Sequence, residues 1–362
     1  MIKLIHAADL HLDSPFAGLS PEQAAARRRE QRELLSRLTE LVRQRGADAL
    51  LLSGDVLDTG RAFRETAEAL ASQLGGVDCP VFISPGNHDF FHGGSPYAAI
   101  LWPENVHIFT TEQMEAVELH EKNACFYGAA FLSSHQEHSP LSHFRAPVDE
   151  RLHIGILHGE VDGLNGYGSI LRADIAASGL HYLALGHVHQ YSGLQKEGKT
   201  FWAYPGCPEG RGFDELGDKG VLYLEIEPNQ VREEFIPLCK RRYQIYSADL
   251  TGQTDPVQAI RAALPADTKN DVYRILLTGE RTAPLELTRI QKELEGSFYS
   301  LTLRDQTRAA RQLWARKDED TLTGLFLREM FSLCQQDPDN ETLQLAVRFG
   351  LAALEGEEDL CP

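Results

Sequence analysis

Five apolar segments of this chain end in side chains that can bind a metal ion. Residues 50–52 are three leucines, and they lead through Ser53 and Gly54 into Asp55. Aspartate, asparagine and histidine follow the other four segments, without a cysteine. Such ligands suit a borderline or hard divalent ion better than the thiolate site of a structural zinc. The other transitions run from 4–8 into Asp9 and His11, from 81–84 into Asn87 and His88, from 154–157 into His158, and from 182–185 into His187 and His189.

The spacing of these residues predicts that they converge. Residues two apart in an extended strand point the same way, so Asp9 and His11 are expected to face one point, as are His187 and His189. Ligands of open α/β sheets also gather beyond the carboxyl ends of the strands, where all five transitions fall. One ion needs about four such groups, and more are available, so the sequence predicts two ions. The available groups are Asp9, His11, Asp55, Asn87, His158, His187 and His189.

Two ions that share the Asp55 carboxylate could catalyse phosphate ester hydrolysis. At a separation of about 3.5–4 Å, such a pair activates a water molecule and braces the attacking and leaving oxygens of the phosphate. His88 lies beside the predicted ligands, and an imidazole titrates near neutrality, so it could orient the phosphate or protonate the leaving alkoxide. Asp89 could hold the other ring nitrogen of His88. Asp58 falls too far along its turn to be expected as a ligand, and we expect it to orient one instead.

The elements that must position these residues follow an α/β pattern. Strand, helix, strand, helix, strand is the predicted order over residues 1–84, and short strands separated by turn residues dominate from about residue 106. The first helix is predicted to begin at Pro21, because Ser20 and Gln23 can form a capping box, and to end near Arg45, because Gly46 follows.

The early turns of this helix hold the densest basic cluster of the chain. Two interpretations stay open: the arginines form a solvated helix face, which the pattern favours, or they contact the phosphates of a nucleic acid. The formal net charge is −18, whereas a protein that grips nucleic acid normally has a basic surface. Either the substrate is not a polyanion, or metals, a local basic patch and a partner offset the repulsion. The cluster consists of Arg27, Arg28, Arg29 and Arg32.

The composition favours a globular cytoplasmic protein. No apolar run approaches the roughly 18 residues that span a bilayer. The sequence passes from Met1 directly into the first strand, so a signal peptide is not expected. The six cysteines form no Cys-x-x-Cys pair, which argues against a disulfide framework or a zinc knuckle. A reducing cytoplasm is the expected compartment.

A domain boundary is predicted near residues 238–242, where the strand pattern breaks. Residues 239–305 then alternate strands and helices, as a small α/β domain would. From about residue 306 no strand signal remains, and two apolar stripes at helical spacing predict a helical hairpin. The expected domains are therefore 1–238, 239–305 and 306–362. The stripes are Leu322, Leu325, Phe326, Met330 and Leu333, then Leu343, Val347, Gly350, Leu351 and Leu354.

Taken in order, the five motifs resemble those of the calcineurin-like metallophosphoesterases. They are Asp9-x-His11, Gly54-Asp55-x-x-Asp58, Gly86-Asn87-His88-Asp89, His158 and Gly186-His187-x-His189. The resemblance covers about residues 1–235 and implies an α/β fold whose core is a two-sheet β-sandwich flanked by helices. It further implies that Asp55 is shared by two ions. One ion would be held by Asp9, His11, Asp55 and His189, and the other by Asp55, Asn87, His158 and His187.

Within that superfamily the chain looks most like DNA-repair nucleases of the SbcD type, and in layout like the YhaO-like branch. Such proteins carry a small domain that caps the active site and helps to admit DNA. The resemblance also implies manganese, although the ligands alone equally admit iron or zinc, and a coiled-coil ATPase of the SbcC type that binds the C-terminal helices. Those helices could instead pack on the core of the chain itself. The resemblance is carried by residues 5–13, residues 204–210 and Glu215-x-Gly217-x-Lys219-Gly220.

The function predicted from the sequence is a dinuclear-metal-dependent DNA nuclease of repair or recombination. Asp55 would bridge the ions and His88 would assist at the leaving group. A phosphomonoesterase or cyclic-nucleotide phosphodiesterase on the same scaffold is the alternative, which the acidic charge favours and the additional domains disfavour. A non-catalytic protein-binding scaffold would have lost ligands, and none is lost here. A homodimer, the polarity of cleavage and a dependence on ATP stay open.

Overall fold

The chain divides into two units, Met1–Lys240 and Arg241–Pro362. The computed structural model describes residues 1–16, 19–58, 63–163, 166–338 and 340–355. The division lies close to the predicted boundary near residues 238–242. Within the second unit, the predicted separation of 239–305 from 306–362 stays a prediction.

Strands and helices alternate along the first unit, as the sequence pattern predicts. Its strands and α-helices, in chain order, are β1 (Ile2–Ala7), α1 (Pro21–Arg45), β2 (Ala49–Leu52), α2 (Arg64–Gly75), β3 (Val81–Ile83), α3 (Pro96–Ala99), β4 (Val106–Ile108), β5 (Glu115–Leu119), β6 (Ala124–Gly128), β7 (Gln136–His138), β8 (Leu152–His158), β9 (Tyr167–Ser169), α4 (Arg172–Ala177), β10 (Tyr182–Gly186), β11 (Gln195–Glu197), β12 (Thr200–Ala203), β13 (Gly220–Glu227) and β14 (Gln230–Pro237).

Two large mixed sheets organise this unit. The first has the strand order β14-β13-β1-β2-β3-β4 and the second the order β11-β12-β10-β8-β6-β5. Neighbouring strands β1, β2 and β3 are parallel, and so are β8 and β10. Each predicted metal motif follows the carboxyl end of one of these five strands. The sheets therefore deliver the motifs to two strand-end edges, one in each sheet.

Apolar side chains between the sheets form the central core. Leu51 of β2 and Phe82 of β3 pack there with Phe126 of β6 and Ile154 of β8. Alternate residues of β2 point the other way, where Leu50 packs beneath α1 and α2. Burial of each such side chain contributes about 1.5–3 kcal/mol. The continuous apolar run before Asp55 thus belongs to a strand that is covered on both faces. The predicted two-sheet sandwich is confirmed.

The first helix agrees with its prediction at both ends. The hydroxyl of Ser20 accepts the N–H of Gln23, and the Gln23 side chain accepts the N–H of Ser20. The helix ends at Arg45, and Gly46 has a left-handed conformation with φ 55°. A capping box and a left-handed glycine satisfy backbone groups that would otherwise lack partners, so local sequence is sufficient to define this element.

The second unit begins with alternating strands and helices and ends in two longer helices, in agreement with the predicted fold class. Its elements are β15 (Tyr243–Asp249), α5 (Pro256–Ala263), β16 (Val272–Thr278), β17 (Glu280–Arg281), α6 (Leu287–Glu293), β18 (Ser300–Asp305), β19 (Arg308–Ala309), α7 (Arg311–Ala315), α8 (Leu322–Gln336) and α9 (Glu341–Glu355). The strands β15, β16 and β18 form a parallel sheet. The two-residue strand β19, which pairs with β17, and the short helix α7 were not predicted.

The buried face of α8 differs from the predicted stripe. Leu327 and Cys334 are buried together with Met330, and they pack with residues of β19, α7 and α9. Leu322 and Leu325, which belong to the predicted stripe, are 67% and 50% exposed. The sequence offers two apolar faces at helical spacing, and packing within the second unit selects one of them.

Among the helices of the described ranges, none is both long and apolar enough to cross a bilayer. The cysteines found within those ranges are free thiols rather than disulfides. Cys361 lies outside the described residues.

Candidate metal centre

The structure brings the predicted metal ligands together beyond the carboxyl ends of β1, β2, β3, β8 and β10. Asp55 lies in the middle of the group, with Oδ2 3.8 Å from Nε2 of His11 and 3.4 Å from Nε2 of His158. The other ligands fall on either side of it. We name Asp9, His11 and His189 the first half-site, and Asn87, His158 and His187 the second half-site.

Short distances join the members of each half-site. In the first half-site, Nε2 of His11 is 3.2 Å from Nε2 of His189. In the second, Oδ1 of Asn87 is 2.9 Å from Nε2 of His158 and 3.3 Å from Nδ1 of His187. One carboxylate therefore stands between two groups of three potential ligands.

The backbone that aims these side chains is not the expected extended strand. Strand β1 ends before Asp9 and His11, whose φ angles are 53° and 45°. Asp55 and His187 also have positive φ, 49° and 110°. Such conformations cost an L-residue on the order of 1–3 kcal/mol. The convergence was predicted correctly, but the reason was wrong, because left-handed backbone rather than strand alternation produces it.

Hydrogen bonds between strand ends hold these strained residues. The N–H of Asp9 donates to the carbonyl of Gly54 at 3.0 Å, and the N–H of His11 donates to the carbonyl of Asp55 at 2.9 Å. The N–H of His187 is 3.1 Å from both carboxylate oxygens of Asp9. The ends of β1, β2 and β10 thus fix one another, and Asp9 also links the two sheets.

Two glycines allow the close approach of the second half-site to Asp55. Gly54 has φ 86°, and a Cβ added to it would lie 2.2 Å from Nδ1 of His158. A Cβ on Gly86 would lie 2.3 Å from Oδ1 of Asp55. Any side chain at either position would push a predicted ligand out of place, so the Gly-Asp and Gly-Asn-His-Asp motifs require their glycines sterically.

Asp89 does not hold His88, and that part of the prediction is wrong. Its carboxylate is fully buried and accepts backbone N–H groups around Asp55 at 2.7–3.2 Å and a tyrosine hydroxyl at 2.5 Å. These bonds occupy the carboxylate, which therefore organises the turn that carries Asp55. The donors are the N–H groups of Asp55, Val56, Leu57 and Gly86 and the hydroxyl of Tyr97.

A backbone carbonyl holds His88 instead. Its Nδ1 is 3.1 Å from the carbonyl oxygen of Asp58, so Nδ1 carries the proton and Nε2 is left for another partner. The side chain is exposed, and its ring centroid lies 4.8 Å from that of His11. The N–H of His88 donates to Oδ1 of Asp55 at 2.9 Å, which leaves Oδ2 for the two half-sites.

Carboxylates hold the outer nitrogens of the first half-site. Nδ1 of His11 donates to Oδ1 of Asp58 at 3.0 Å, and Nδ1 of His189 donates to Oε1 of Glu215 at 2.7 Å. An ionised carboxylate can only accept, so each Nδ1 carries the proton and each Nε2 faces the centre with its lone pair. Asp58 is thus placed as its expected orienting role requires.

The polar atoms at the centre are mostly acceptors that face other acceptors. The Nε2 atoms of His11 and His189 meet at 3.2 Å. Nδ1 of His158 donates to the carbonyl of Ser53 at 3.0 Å, which directs its Nε2 at Oδ2 of Asp55, 3.4 Å away. Facing lone pairs repel unless a proton or a cation lies between them. Two half-sites of imidazole, carboxylate and amide oxygen fit divalent manganese, iron or zinc.

Charge at the centre also favours a cation. Burial alone would lower the pKa of His158, but the carboxylates of Asp55 and Asp9 outweigh burial and raise it to about 9. Burial, together with the charge of His158, lowers the pKa of His187 to about 4. Burial opposes ionisation of Asp55, yet the neighbouring imidazoles hold the pKa of that carboxyl well below its usual range. The centre therefore combines a stable anion with an imidazole that attracts positive charge.

Two residues that support the centre, Arg211 and Glu215, were not predicted as site residues. Arg211 joins Glu215 to Asp58 through its two terminal nitrogens. Glu215 lies in the stretch that carries the family resemblance, which was the available signal. Arg211 gave none, because Asp58 lies 153 residues away in the sequence.

Arg27 cannot contact a phosphate backbone, so its assignment to nucleic-acid binding is wrong. Its side chain is fully buried, with Nη1 2.7 Å from Glu30 and Nη2 2.8 Å from Glu209. Nη2 also donates to the carbonyl of Gly210 at 2.8 Å. The arginine therefore connects α1 to the segment before β13.

The other arginines of the cluster are accessible to different degrees. Arg29 and Arg32 are exposed, and Nη2 of Arg32 approaches Asp13 only to 4.0 Å. Arg28 is half-buried, with Nη1 3.3 Å from the carbonyl of Pro15. The basic surface on these early turns is accordingly smaller than the sequence suggested.

The fold and the centre define a class of protein. Residues 2–191 match the model of the calcineurin-like phosphoesterases, and the chain belongs to that family. It is 30% identical over 339 residues to the uncharacterized metallophosphoesterase YhaO of Bacillus subtilis. The aligned region covers 88% of this chain and 82% of that protein. The predicted likeness to the YhaO branch is confirmed.

Two further relatives have names that refer to DNA repair or nuclease activity. The DNA double-strand break repair protein Mre11 of Methanopyrus kandleri is 25% identical over 334 residues, 85% of this chain and 71% of that protein. The SbcD component of the nuclease SbcCD of Bacillus subtilis is 24% identical over 273 residues, 63% of this chain and 67% of that protein. The chain is thus similar to the SbcD type.

Proposed function

We propose that this protein is a dinuclear-metal-dependent phosphodiesterase that cleaves DNA. The observation that carries the proposal is the position of Asp55, whose Oδ2 lies 3.8 Å from His11 Nε2 and 3.4 Å from His158 Nε2. A shared carboxylate is the feature that separates a two-ion centre from two unrelated sites. DNA as the substrate is supported by the names of the SbcCD and Mre11 relatives.

The proposed centre holds one ion in each half-site, with Asp55 common to both. When bound, the two ions would lower the pKa of a water nucleophile and stabilise charge on the phosphate. Manganese is the metal we propose, and iron or zinc would fit the same donors. The ligands would be Asp9, His11, Asp55 and His189 for one ion, and Asp55, Asn87, His158 and His187 for the other.

His88 has the proposed role at the leaving group. Its Nδ1–H is held by the Asp58 carbonyl, so the ring presents Nε2 to a substrate bound beside the first half-site. A protonated Nε2 can donate to a phosphate oxygen or to the departing alkoxide, a contribution of about 10²–10⁴-fold in rate for general acids. Asp58 would act indirectly, by keeping Nδ1 of His11 protonated and its Nε2 free. Asp89 would act only through the shape of the Asp55 turn.

DNA must approach a chain with a formal net charge of −18. We propose that the ions and the accessible arginines Arg28, Arg29 and Arg32 provide the local attraction, so binding should be weak and sensitive to salt. The test is charge reversal of the exposed pair, R29E with R32E, compared with R43E near the other end of α1. The pair should lower affinity for DNA, and R43E should not. If the double variant and R43E bind DNA with equal affinity, these arginines form only a solvated helix face.

The second unit would serve DNA entry and assembly. We propose that the small α/β domain caps the active site and that the exposed side of α8 binds a coiled-coil ATPase of the SbcC type in a reducing cytoplasm. Apolar side chains exposed on a helix fit that kind of partner. The substitution pair L322D and L325D should abolish binding to the purified ATPase, whereas L101D, at a leucine that is 96% exposed in the first unit, should retain it. If the variant with both L322D and L325D still binds the ATPase, the exposed side of α8 is not the binding surface.

A phosphomonoesterase or cyclic-nucleotide phosphodiesterase is the second candidate, favoured by the net charge and by the burial of Arg27. One assay separates the candidates. The purified protein is incubated with manganese and labelled single-stranded, blunt and hairpin DNA, beside mono- and bis(para-nitrophenyl) phosphate and a cyclic nucleotide. Cleavage of DNA and of the diester, absent in D55N, is the expected result. Hydrolysis of the monoester or cyclic nucleotide without cleavage of DNA would overturn the nuclease proposal.

A further inference from the structure

One guanidinium connects the supports of both histidines in the first half-site. Nη1 of Arg211 is 3.2 Å from Oδ1 of Asp58, the oxygen that accepts Nδ1–H of His11. Nη2 of Arg211 is 2.9 Å from Oε1 of Glu215, the oxygen that accepts Nδ1–H of His189, and it lies 3.2 Å from that Nδ1 itself. The contacts form an open ring from one imidazole through three charged side chains to the other imidazole. The two Nε2 atoms face each other across the opening.

The ring is buried enough for its geometry to be fixed. The side chains of Asp58 and Glu215 are 13% and 4% exposed, and that of Arg211 is 19% exposed. The backbone also contributes, because the N–H of Arg211 donates to Oε2 of Glu215 at 2.6 Å. A guanidinium is planar and rigid, so when its two terminal nitrogens bind different carboxylates it sets the separation of those carboxylates. It therefore sets the separation of the imidazoles that those carboxylates hold.

The guanidinium also balances charge. Without it, two buried carboxylates would stand beside the same pair of imidazoles with no opposing charge, and their mutual repulsion would push them apart. With that repulsion offset, both carboxylates keep their hydrogen bonds to the two imidazoles, and both Nε2 atoms stay directed at the centre.

We propose that Arg211 is a positioning residue of the first half-site, which fixes the distance between His11 and His189 for the ion they hold. The inference rests on the proposed two-ion centre and adds a residue that is specific to one ion. The second half-site has a different support, the carbonyl of Ser53 at His158. Loss of Arg211 should therefore weaken one ion and spare the other.

The test compares R211M, which keeps an apolar stem but removes the charge and the donors, with R211K, which keeps the charge but can reach only one carboxylate. Arg37 provides a matched control, because it also links a buried glutamate, Glu209, to a backbone carbonyl, and it lies outside the centre. Binding of Mn²⁺ to the metal-free full chain is measured by titration calorimetry. The electron paramagnetic resonance spectrum at two equivalents reports whether the ions are spin-coupled.

The wild-type protein and R37M should bind two ions and give a coupled spectrum. R211M should lose about 10–100-fold in affinity for one ion only, and at two equivalents its spectrum should contain the six-line signal of isolated ions. R211K should fall between R211M and the wild-type protein. The rise in melting temperature on adding Mn²⁺ should shrink in the same order.

The opposite results are equally specific. R211M with two wild-type affinities and a coupled spectrum would overturn the inference while the two-ion centre stands. R211M that is less stable in chelator but unchanged in metal affinity would show an ordinary structural salt bridge, which also overturns it. If R211M does not fold, R211K provides the test. Affinities of R211K for Mn²⁺ that equal those of R37M would contradict the positioning role. A wild-type protein that binds no Mn²⁺ would overturn the centre itself, and the inference with it.

Discussion

Each half-site presents two imidazoles and one side-chain oxygen, but the two half-sites are supported in different ways. In the first, the outer nitrogens of His11 and His189 meet carboxylates, which Arg211 joins. In the second, the outer nitrogen of His158 meets the backbone carbonyl of Ser53. An imidazole whose N–H donates to a carboxylate is more basic, and so a stronger metal ligand, than one whose N–H donates to a backbone carbonyl. We therefore expect the first half-site to bind its ion more tightly.

The second half-site depends instead on the packing of the sandwich. Ser53 is held from below by His6, whose Nε2 is 2.7 Å from the Ser53 hydroxyl and whose Nδ1 is 2.9 Å from the hydroxyl of Tyr182 in the opposite sheet. The ring of Tyr167 packs beside that of His187, with 5.3 Å between centroids. The first half-site is thus stabilised by buried charged side chains and the second by packing within the sandwich. Different substitutions should therefore weaken metal binding at each.

The largest effect is expected at Asp55, which both half-sites share. D55N should weaken both ions and reduce hydrolysis of bis(para-nitrophenyl) phosphate by on the order of 10⁴-fold, because the ions supply several kcal/mol of stabilisation to the transition state. Metal analysis and steady-state kinetics measure the two quantities. A D55N protein that keeps either ion at wild-type affinity would show that the half-sites are independent.

Next in size is the effect of His88, which lies outside both half-sites. H88N should lower turnover by about 10²- to 10³-fold, because a general acid or phosphate donor is lost, and it should still bind two ions. Single-turnover kinetics with Mn²⁺ in excess separates chemistry from binding. H138N, at an exposed histidine of β7, is the control and should be fully active. Near-normal turnover in H88N would remove this residue from the mechanism.

A smaller effect tests the difference between the half-sites directly. E215Q should weaken one ion by about 10–100-fold, because Glu215 holds only His189, while N87A should weaken the other. Calorimetric titration with Mn²⁺ should then show the tighter ion lost in E215Q and the weaker ion lost in N87A. The reverse assignment would contradict the view that carboxylate support makes the first half-site the tighter one.

The smallest effect concerns stability in acid. Burial lowers the pKa of His6 from 6.5 to about 3, so between those values the unfolded chain binds a proton that the folded chain does not. The free energy of unfolding should fall as pH falls below 6.5, by up to about 1.4 kcal/mol per pH unit from this group. Above pH 6.5 its contribution is fully present.

Urea denaturation of metal-free protein at pH 7.5 and 5.5 checks this prediction. The loss of stability on acidification should be about 1 kcal/mol smaller in H6Q than in the wild-type protein, whereas H138Q should behave as wild type. The same loss in H6Q and wild type would show that the His6 link between the sheets does not titrate in this range.

The sequence was sufficient for features set by local pattern. Helix α1 and the predicted elements of the small domain depend on caps, glycines and apolar periodicity within a few residues. The helix begins and ends where the sequence predicts, and the strands and helices of the small domain alternate as predicted. The ends of five strands likewise located the side chains that converge around Asp55, because parallel strands bring their carboxyl ends to a common edge.

What the sequence could not provide depends on distant partners. Asp89 was expected beside His88, but four backbone N–H groups engage it instead. Arg27 looked like part of a surface cluster, yet Glu209 draws it into the interior. Arg211 carried no local signal, although it completes the support of one half-site. In each case, contacts with residues distant in the sequence determine the role of a charged side chain, and its neighbours in the sequence do not reveal that role.

The most direct test of the central claim is the stoichiometry and spin coupling of Mn²⁺ in the wild-type protein. Metal-free protein is loaded with excess Mn²⁺, freed of unbound metal, and analysed by elemental analysis and electron paramagnetic resonance. A centre with a shared Asp55 predicts two ions per chain with a spin-coupled spectrum. One ion per chain with full activity, or two ions with the spectrum of isolated Mn²⁺, would contradict it.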